Sequence, residues 1–480
     1  MNAAAAHVIE TDVPARMDRL PWSMWHMRII MALGTSWILD GLEVTLVGSL
    51  SGILQSKDGL ALSGQAVASA ASIYLAGAVI GALVFGRLTD RYGRRKLFLV
   101  TLATYSLATI GSGLSVNPLM FFICRFLTGL GIGGEYAAIN SAVDELIPGK
   151  VRGTVDLAVN ATFWLGATLG SLAALFLMGG HAVPVHWGWR LAFTVGGTLG
   201  LAVLLLRLAV PESPRWLMLR GKEQQAERIV GGIEAQVEAS HGGLPAITGD
   251  KLKIKPRDHT PWRDIFKSML GENRQRSLLG LMLMVGQAFF FNAMFFTFSL
   301  IAKKFFQVPD DKLPLQLLPF AVASFLGPIM LGPLFDRIGR KPMITLTYGA
   351  AGVLLAVSAV LFSSGALGLR GLIICFAVIF FIASSAASAA YLTVSEIFPL
   401  EIRAFAIAIF YALGTSIGGV GAPALFGALV ASGSKHYIMA GWLLGAALMI
   451  AGAIAEFFIG VEAAGKSLES ISKPLQSAGD

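Results

Sequence analysis

Twelve runs of predominantly apolar residues follow one another along this chain, at 27–50, 66–86, 97–114, 118–142, 155–178, 189–210, 277–302, 315–334, 343–362, 369–394, 404–430 and 437–460. An α-helix needs about 20 such residues to cross the hydrocarbon core of a bilayer. In lipid every backbone amide must be bonded internally, so runs this long and numerous leave a helical bundle as the fold. Only 14% of the 480 residues are charged, against about 25% in a soluble domain. The 55 glycines suit helices that approach closely in lipid. The expectation is an all-α membrane protein of about twelve transmembrane helices.

Loop charge sets the orientation. With an even number of spans, the side bearing both termini holds 29 of the 37 Lys and Arg residues, the opposite loops hold 7, and Arg125 lies within a span. Basic residues accumulate in cytoplasmic loops, so both termini are expected to be cytoplasmic. The same distribution accounts for the net charge of +8 without a nucleic-acid partner, since no basic stripe interleaves with aromatics. Cys124 and Cys375 lie inside apolar runs and read as buried thiols rather than a disulfide or a metal site. No Ser/His/Asp set, metal-spaced His/Cys cluster or phosphate-binding glycine loop is visible, so neither an enzyme nor a cofactor is expected. Residues 1–26 carry Glu10, Asp12 and Asp18 and read as a cytoplasmic tail, not a signal peptide. The organisation that follows is a tail (1–26), a six-helix bundle (27–210), a cytoplasmic linker (211–276) with an amphipathic segment near 222–238, a second six-helix bundle (277–460) and a tail (461–480).

The two bundles share an internal repeat. Gly86, Leu88, Asp90, Arg91, Gly93 and Arg94 recur in order and spacing as Gly332, Leu334, Asp336, Arg337, Gly339 and Arg340, 246 positions later. Glu145, Pro148 and Arg152 recur as Glu396, Pro399 and Arg403, 251 positions later. Two motifs returning at nearly one period point to duplication of a six-helix half, as in many transporters.

The first of these motifs resembles the signature loop of the major facilitator superfamily. Pro211, Glu212, Ser213, Pro214, Arg215 and Trp216 resemble the sugar-porter signature, and Gly465 to Glu469 a degraded form of its terminal counterpart. Arg125, Gly129, Gly131, Gly133, Gly134 and Glu135 resemble helix 4 of the phosphate, organic-ion and metabolite:proton symporters. Leu20, Pro21, Trp22, Trp25 and His26, with Asp40, Gly41 and Glu43 after them, resemble the start of bacterial metabolite:proton symporters such as niacin and aromatic-acid carriers. The resemblance implies the major facilitator fold, two pseudo-symmetric six-helix bundles around a central cavity, in a bacterial inner membrane. It also implies a chain that acts as a monomer on a small molecule and protons.

The repeated motifs are candidates for a cytoplasmic gate: Asp90, Arg91, Arg94, Glu145 and Arg152 in the first half, Asp336, Arg337, Arg340, Glu396 and Arg403 in the second. Ion pairs among them would hold the halves together in one state and break as the halves rock. Ionisable residues inside a span cost about 2.5–3.5 kcal/mol each, which makes them functional candidates. Asp40 lies 13 residues past Met27, about 20 Å from the inner end. Arg125 lies seven residues past Pro118, about 10 Å below the outer surface. In a core about 30 Å thick those depths coincide, so Asp40 or Glu43 is expected to pair with Arg125. Glu135, deeper on the same helix as Arg125, is a third acid. These four residues are the candidate proton-coupling set. The second half carries no charge at mid-membrane, and its candidates for substrate contact are Gln287, Asn292 and Tyr391, joined from the first half by Asn160, Trp164 and Arg125.

The function expected is proton-coupled symport of a small organic metabolite, an organic anion, by alternating access. A proton-coupled exporter or a uniporter would use the same residues. A non-transporting membrane sensor is the rival of another class.

Overall fold

The computed structural model describes residues 8–57, 59–178, 184–247, 251–309 and 312–477. Among these, twelve long helices stand out: α1 Met24–Ser49, α2 Gly64–Tyr92, α3 Arg94–Gly113, α4 Pro118–Leu146, α5 Arg152–Met178, α6 Val185–Arg207, α7 Arg274–Phe306, α8 Leu313–Arg337, α9 Arg340–Ser363, α10 Leu369–Ile397, α11 Arg403–Ala431 and α12 Lys435–Ile459. Ten of them are long and apolar enough to cross a membrane by length and composition; α3 and α5 are not among the ten. The apolar runs undershoot the helices most at one end. There α2 continues to Tyr92, α4 continues to Leu146, α3 starts at Arg94 and α9 at Arg340. These end turns are charged, yet they stay helical, and most of the charges buried there are paired, as shown below.

The helices pack by a rule that repeats. In the first half α1 lies on α5, α2 on α4 and α3 on α6; in the second half α7 lies on α11, α8 on α10 and α9 on α12. The halves meet where α2 packs on α11 and α5 on α8. Small residues make the tight crossings possible: a Cβ on Gly129 or Gly133 of α4 would run into the carbonyls of Tyr74 and Ala78 on α2. One departure from regular helix, a π-helical stretch at Thr415–Gly421 in the middle of α11, is invisible in the sequence pattern. Such bulges occur often at functional sites.

A compact layer covers the end bearing both termini. Strand β1 (Ile9–Thr11) pairs antiparallel with β2 (Leu252–Ile254), and Ile254 bridges to Ser477, so the two tails and the long linker meet. The amphipathic segment forms the helix Glu223–His241, whose stripe of Ala226, Val230, Ile233 and Val237 is buried. The spacing of that stripe is one face of a helix, and the same apolar cluster takes in Ile9, Val13 and Met17 of the N-terminal segment. Arg16 pins the segment through Glu227 at 2.5 Å and Glu234 at 2.6 Å, and Arg19 adds a second bond to Glu234 at 2.6 Å. Burial pushes the Glu234 carboxyl up, but the hydrogen bonds from Arg16 and Arg19 outweigh it and hold the group below the usual carboxylate range.

A group depressed in this way stabilises the folded state above its ordinary pKa and loses that contribution as pH falls through the folded value. The N-terminal segment should therefore resist trypsin at Arg16 and Arg19 at neutral pH. Glu234→Gln should speed that cleavage, with α1 to α12 left intact, as fragment masses would show. Acidification below about pH 4, tested with an acid protease, should open the segment in the same way.

Candidate functional site

A cavity of about 210 Å³ lies between the halves. Asn160 and Trp164 of α5 and Gln287 and Asn292 of α7 line it, together with Tyr391 of α10. Five of the six residues singled out for substrate contact are thus brought to one wall. The wall also contains residues that sequence reasoning missed: Trp37, Tyr74, Tyr136 and Phe163 in the first half, and Ser388, Tyr411 and Thr415 in the second. No charged side chain lines the cavity among the described residues.

Aromatic rings of both halves meet at two levels of it. Towards the termini, Tyr136 stacks on Tyr411 at 4.7 Å and on Tyr391 at 6.2 Å, with Trp37 edge-on to Tyr136 at 4.4 Å. Towards the other end, Trp164 of the first half meets Phe291 and Phe295 of the second at 5.3 and 5.1 Å. Aromatic contacts of this kind are worth about 0.5–1.5 kcal/mol beyond burial. All of these contacts but Trp37–Tyr136 join the halves, and each can be exchanged for contact with a ring-bearing ligand. The missed aromatics lay in plain view but inside apolar runs, where an aromatic is by default a packing residue.

Arg125 is the sixth candidate, and the structure keeps it out of the wall. Its guanidinium is bonded to Glu43 and sits against the Tyr74 ring at 4.8 Å and the Phe193 ring at 5.7 Å. Tyr74 therefore stands between Arg125 and the cavity. Of the two acids offered as partner for Arg125, Glu43 makes the pair and Asp40 does not. A second buried pair was not foreseen. Arg207, which the loop count above includes on the termini side, lies at the end of α6 and is bonded to Glu135 of α4 and to Ser36 of α1. Asp40 lies between the pairs, in the fields of Glu135, Arg207 and Glu43. All five ionisable residues are at most 1% exposed, and all belong to the first half. The arginine escaped notice because it falls in the last turn of its run, where a cation usually snorkels out to the interface.

A second cluster of charge closes the end that carries the termini. Asp90 of α2 accepts the backbone amides of Ala404 and Phe405 at 3.3 and 2.9 Å, at the start of α11. Asp336 of α8 accepts those of Gly153 and Thr154 at 3.1 and 2.7 Å, at the start of α5. Each carboxylate caps a helix of the opposite half, where free amides and the helix dipole favour an anion. Arg94 binds Glu145 at 2.7 Å and Asp90 at 3.3 Å; Arg340 binds Glu396 at 3.1 Å and Asp336 at 2.8 Å. Arg152 reaches Glu396 across the halves at 3.5 Å, and Arg403 reaches Glu145 at 3.7 Å. Arg91 and Arg337, named with this set from the sequence, are exposed and lie outside it.

Gly93 and Gly339 make the turns. Their φ, ψ values of 99°, 159° and 120°, 159° fall in a region that only glycine tolerates. A third repeated element sits on them. Glu212 accepts the amides of Arg94 and Arg95 at 2.8 and 3.3 Å, and Glu462 those of Arg340 and Lys341 at 2.9 and 3.3 Å. A Cβ on either glycine would run into these carboxylates. The sequence resemblance placed the second member at Gly465 to Glu469; the equivalent acid is Glu462, and Glu469 instead pairs with Arg215 at 2.5 Å.

Two equivalent six-helix halves around a central cavity, with buried ion pairs beside it and a repeated charge cluster at one end, are the architecture of a membrane transporter. Residues 29–475 match the family model described as sugar (and other) transporter, and the chain belongs to that family within the major facilitator superfamily. The niacin transporter of Acinetobacter baylyi is 29% identical, over 96% of this chain and 99% of its own length. The cis,cis-muconate transport protein of the same organism is 28% identical, over 93% and 96%. A solved proton:xylose symporter of the major facilitator superfamily, bound to 6-bromo-6-deoxy-D-glucose, shares the fold with a TM-score of 0.73 at 20% identity, covering 93% of this chain and 98% of its own.

Removing one partner of a buried ion pair typically costs about 3–5 kcal/mol, because the other charge is left uncompensated. Arg207→Met should therefore lower stability by that order in detergent unfolding. The double variant Arg207→Met with Glu135→Gln should recover most of it, and the double-mutant cycle measures the coupling. A double-variant loss equal to the sum of the two single losses would mean that the pair contributes nothing.

Proposed function

We propose that this transporter couples the import of a small organic carboxylate to proton entry, by alternating access, in a bacterial inner membrane with both termini cytoplasmic. The observation that carries the reading is the placement of the ions. Glu43–Arg125, Glu135–Arg207 and Asp40 lie behind one wall of the cavity, separated from it by Tyr74, Tyr136 and Trp37. A substrate that moves these rings changes the surroundings of the acids, and an acid that gains a proton frees its arginine. The cavity itself is uncharged, so an anion enters it most readily when a proton enters with it. Amide and hydroxyl donors from Asn160, Gln287, Asn292 and Tyr391 suit a carboxylate, and the aromatic faces suit a planar unsaturated body. Niacin and cis,cis-muconate, which name two of the relatives, are both small unsaturated carboxylates.

The excess of Lys and Arg on the termini side supports the cytoplasmic assignment of that end. The charge cluster there then serves as the inside gate, and the structure is of a state closed to the cytoplasm.

Proteoliposome uptake, with and without an imposed pH gradient, tests the coupling. Asp40→Asn, Glu43→Gln and Glu135→Gln are expected to include at least one variant that loses gradient-driven accumulation while substrate exchange continues. If all three still concentrate substrate in response to the gradient, the proton coupling is wrong. Niacin, muconate and benzoate are the first substrates to try, with xylose as the neutral control.

The gate reading predicts a different phenotype. Asp90→Asn and Asp336→Asn should leave equilibrium substrate affinity nearly unchanged and slow turnover, because neither residue lines the cavity. Binding titration beside initial-rate uptake separates the two quantities.

A further inference from the structure

A polar ladder runs from the cavity to the inside gate, and it exists in one half only. On α5, Trp164, Asn160, Asp156 and Arg152 succeed one another at intervals of four, a single helix face. Trp164 and Asn160 line the cavity and Arg152 belongs to the gate. On α4, Tyr136, Asn140 and Asp144 form the matching stripe. The rungs are bonded: Asn160 donates to Asn140 at 3.2 Å and to the Asp156 carboxylate at 3.1 Å, and Asn140 donates to the Tyr136 carbonyl at 2.8 Å. Asp144 and Asp156 are fully buried. Arg152, Arg340, Glu396 and Asp144 face Asp156; Arg152, Arg403, Glu396 and Ser395 face Asp144. Neither aspartate makes an ion pair within the gate.

Charge bookkeeping makes this unusual. The gate proper contains four carboxylates, Asp90, Glu145, Asp336 and Glu396, and four guanidiniums, Arg94, Arg152, Arg340 and Arg403, all linked by the contacts given above. It is neutral by itself. Asp18, also bonded to Arg152 at 3.5 Å, adds no positive charge. Asp144 and Asp156 are thus two buried acids with no cation left to balance them, a state that costs several kcal/mol per ion unless the group takes up a proton. The symmetry of the gate does not require them. At the 251-position repeat, the second half has Ser395 in place of Asp144, Ile407 in place of Asp156, Tyr391 in place of Asn140 and Tyr411 in place of Asn160.

We propose that Asp156 and Asp144 are a proton-release station on the cytoplasmic side: protonated while the gate is closed, ionised when it opens. Opening parts Arg152 from Glu396 and admits water. Arg152 then becomes available to Asp156 one turn away, the carboxyl O–H bond breaks, and the proton passes to cytoplasmic water. The assignment rests on the orientation and proton coupling proposed above, but its test does not need a driving gradient.

Substrate exchange at equal concentrations on both sides involves no net proton movement, and its rate reads gate opening. For the wild type it should rise with internal pH between about 6 and 8, by up to about tenfold per unit, the limit for release of one proton. Asp156→Asn, and Asp144→Ser, which copies the residue of the second half, should flatten that profile. Asp156→Glu, which keeps a carboxyl, should retain it. A wild-type rate independent of internal pH, or variants with the wild-type slope, would overturn the proposal even if gradient-driven accumulation stands. A slope that depends on Asp156, in a protein that no pH gradient can drive, would sustain it while the symport reading fell. Replacing sodium by choline should change nothing; a slope that vanished without sodium would mean that the station holds a metal cation and not a proton.

Discussion

The contact on which the rest of this structure depends is the capping of a helix in one half by an aspartate of the other. Asp90 holds the first amides of α11 and Asp336 holds those of α5. Free amides at a helix start need acceptors, and a carboxylate there also meets the positive end of the helix dipole. Because each acceptor comes from the opposite half, the halves cannot separate at this end without uncovering both helix ends at once. The arginines, glutamates and glycine turns around the two aspartates keep the carboxylates in place. The floor of the cavity is held together towards this end as a consequence, since its tyrosines come from both halves.

The halves are equal in fold and unequal in charge. The repeated pairing of helices and the repeated motif contacts belong to both. Buried ions within the spans outside the repeated charge cluster are unequally shared: Asp40, Glu43, Arg125, Glu135, Arg207, Asp144 and Asp156 lie in the first half, and Glu456 of α12 lies in the second. The second half contributes amides, hydroxyls and a dense set of phenylalanines around α7. Transmembrane charge is costly, and concentrating most of it in one half leaves the cavity wall of the other half uncharged. Tyr391 and Tyr411 replace Asn140 and Asn160 at the equivalent positions, which turns a bonded polar ladder into an aromatic floor.

The layer over the termini joins parts of the chain that are far apart in sequence. Asp18 of the N-terminal segment touches Arg152 of the charge cluster and Arg215 of the linker, and Arg215 in turn holds Glu469 of the C-terminal segment. The linker is thus bonded to both tails, and through Asp18 it is connected to Arg152.

Much of this was legible in the sequence, for a physical reason. Lipid demands an unbroken apolar run for each span, so the helices announce themselves one by one. The charge cluster at the termini end is built from a duplicated motif, so its members can be found by matching the chain to itself; Arg91 and Arg337 of that motif are exposed and stay outside it. Five cavity residues could be named because polar or large aromatic side chains in a span are conspicuous. What the sequence could not settle is which charge meets which. Arg125 and Glu43 are 82 positions apart and Arg207 and Glu135 are 72 apart, on helices brought together by packing alone. The placement of Arg125 behind Tyr74, the burial of Arg207, the role of Glu462 as the partner of Glu212, and the ladder through Asp156 were decided by tertiary structure. Span, repeat and composition are properties of a chain read in order; an ion pair between helices exists only once their faces have been turned towards each other.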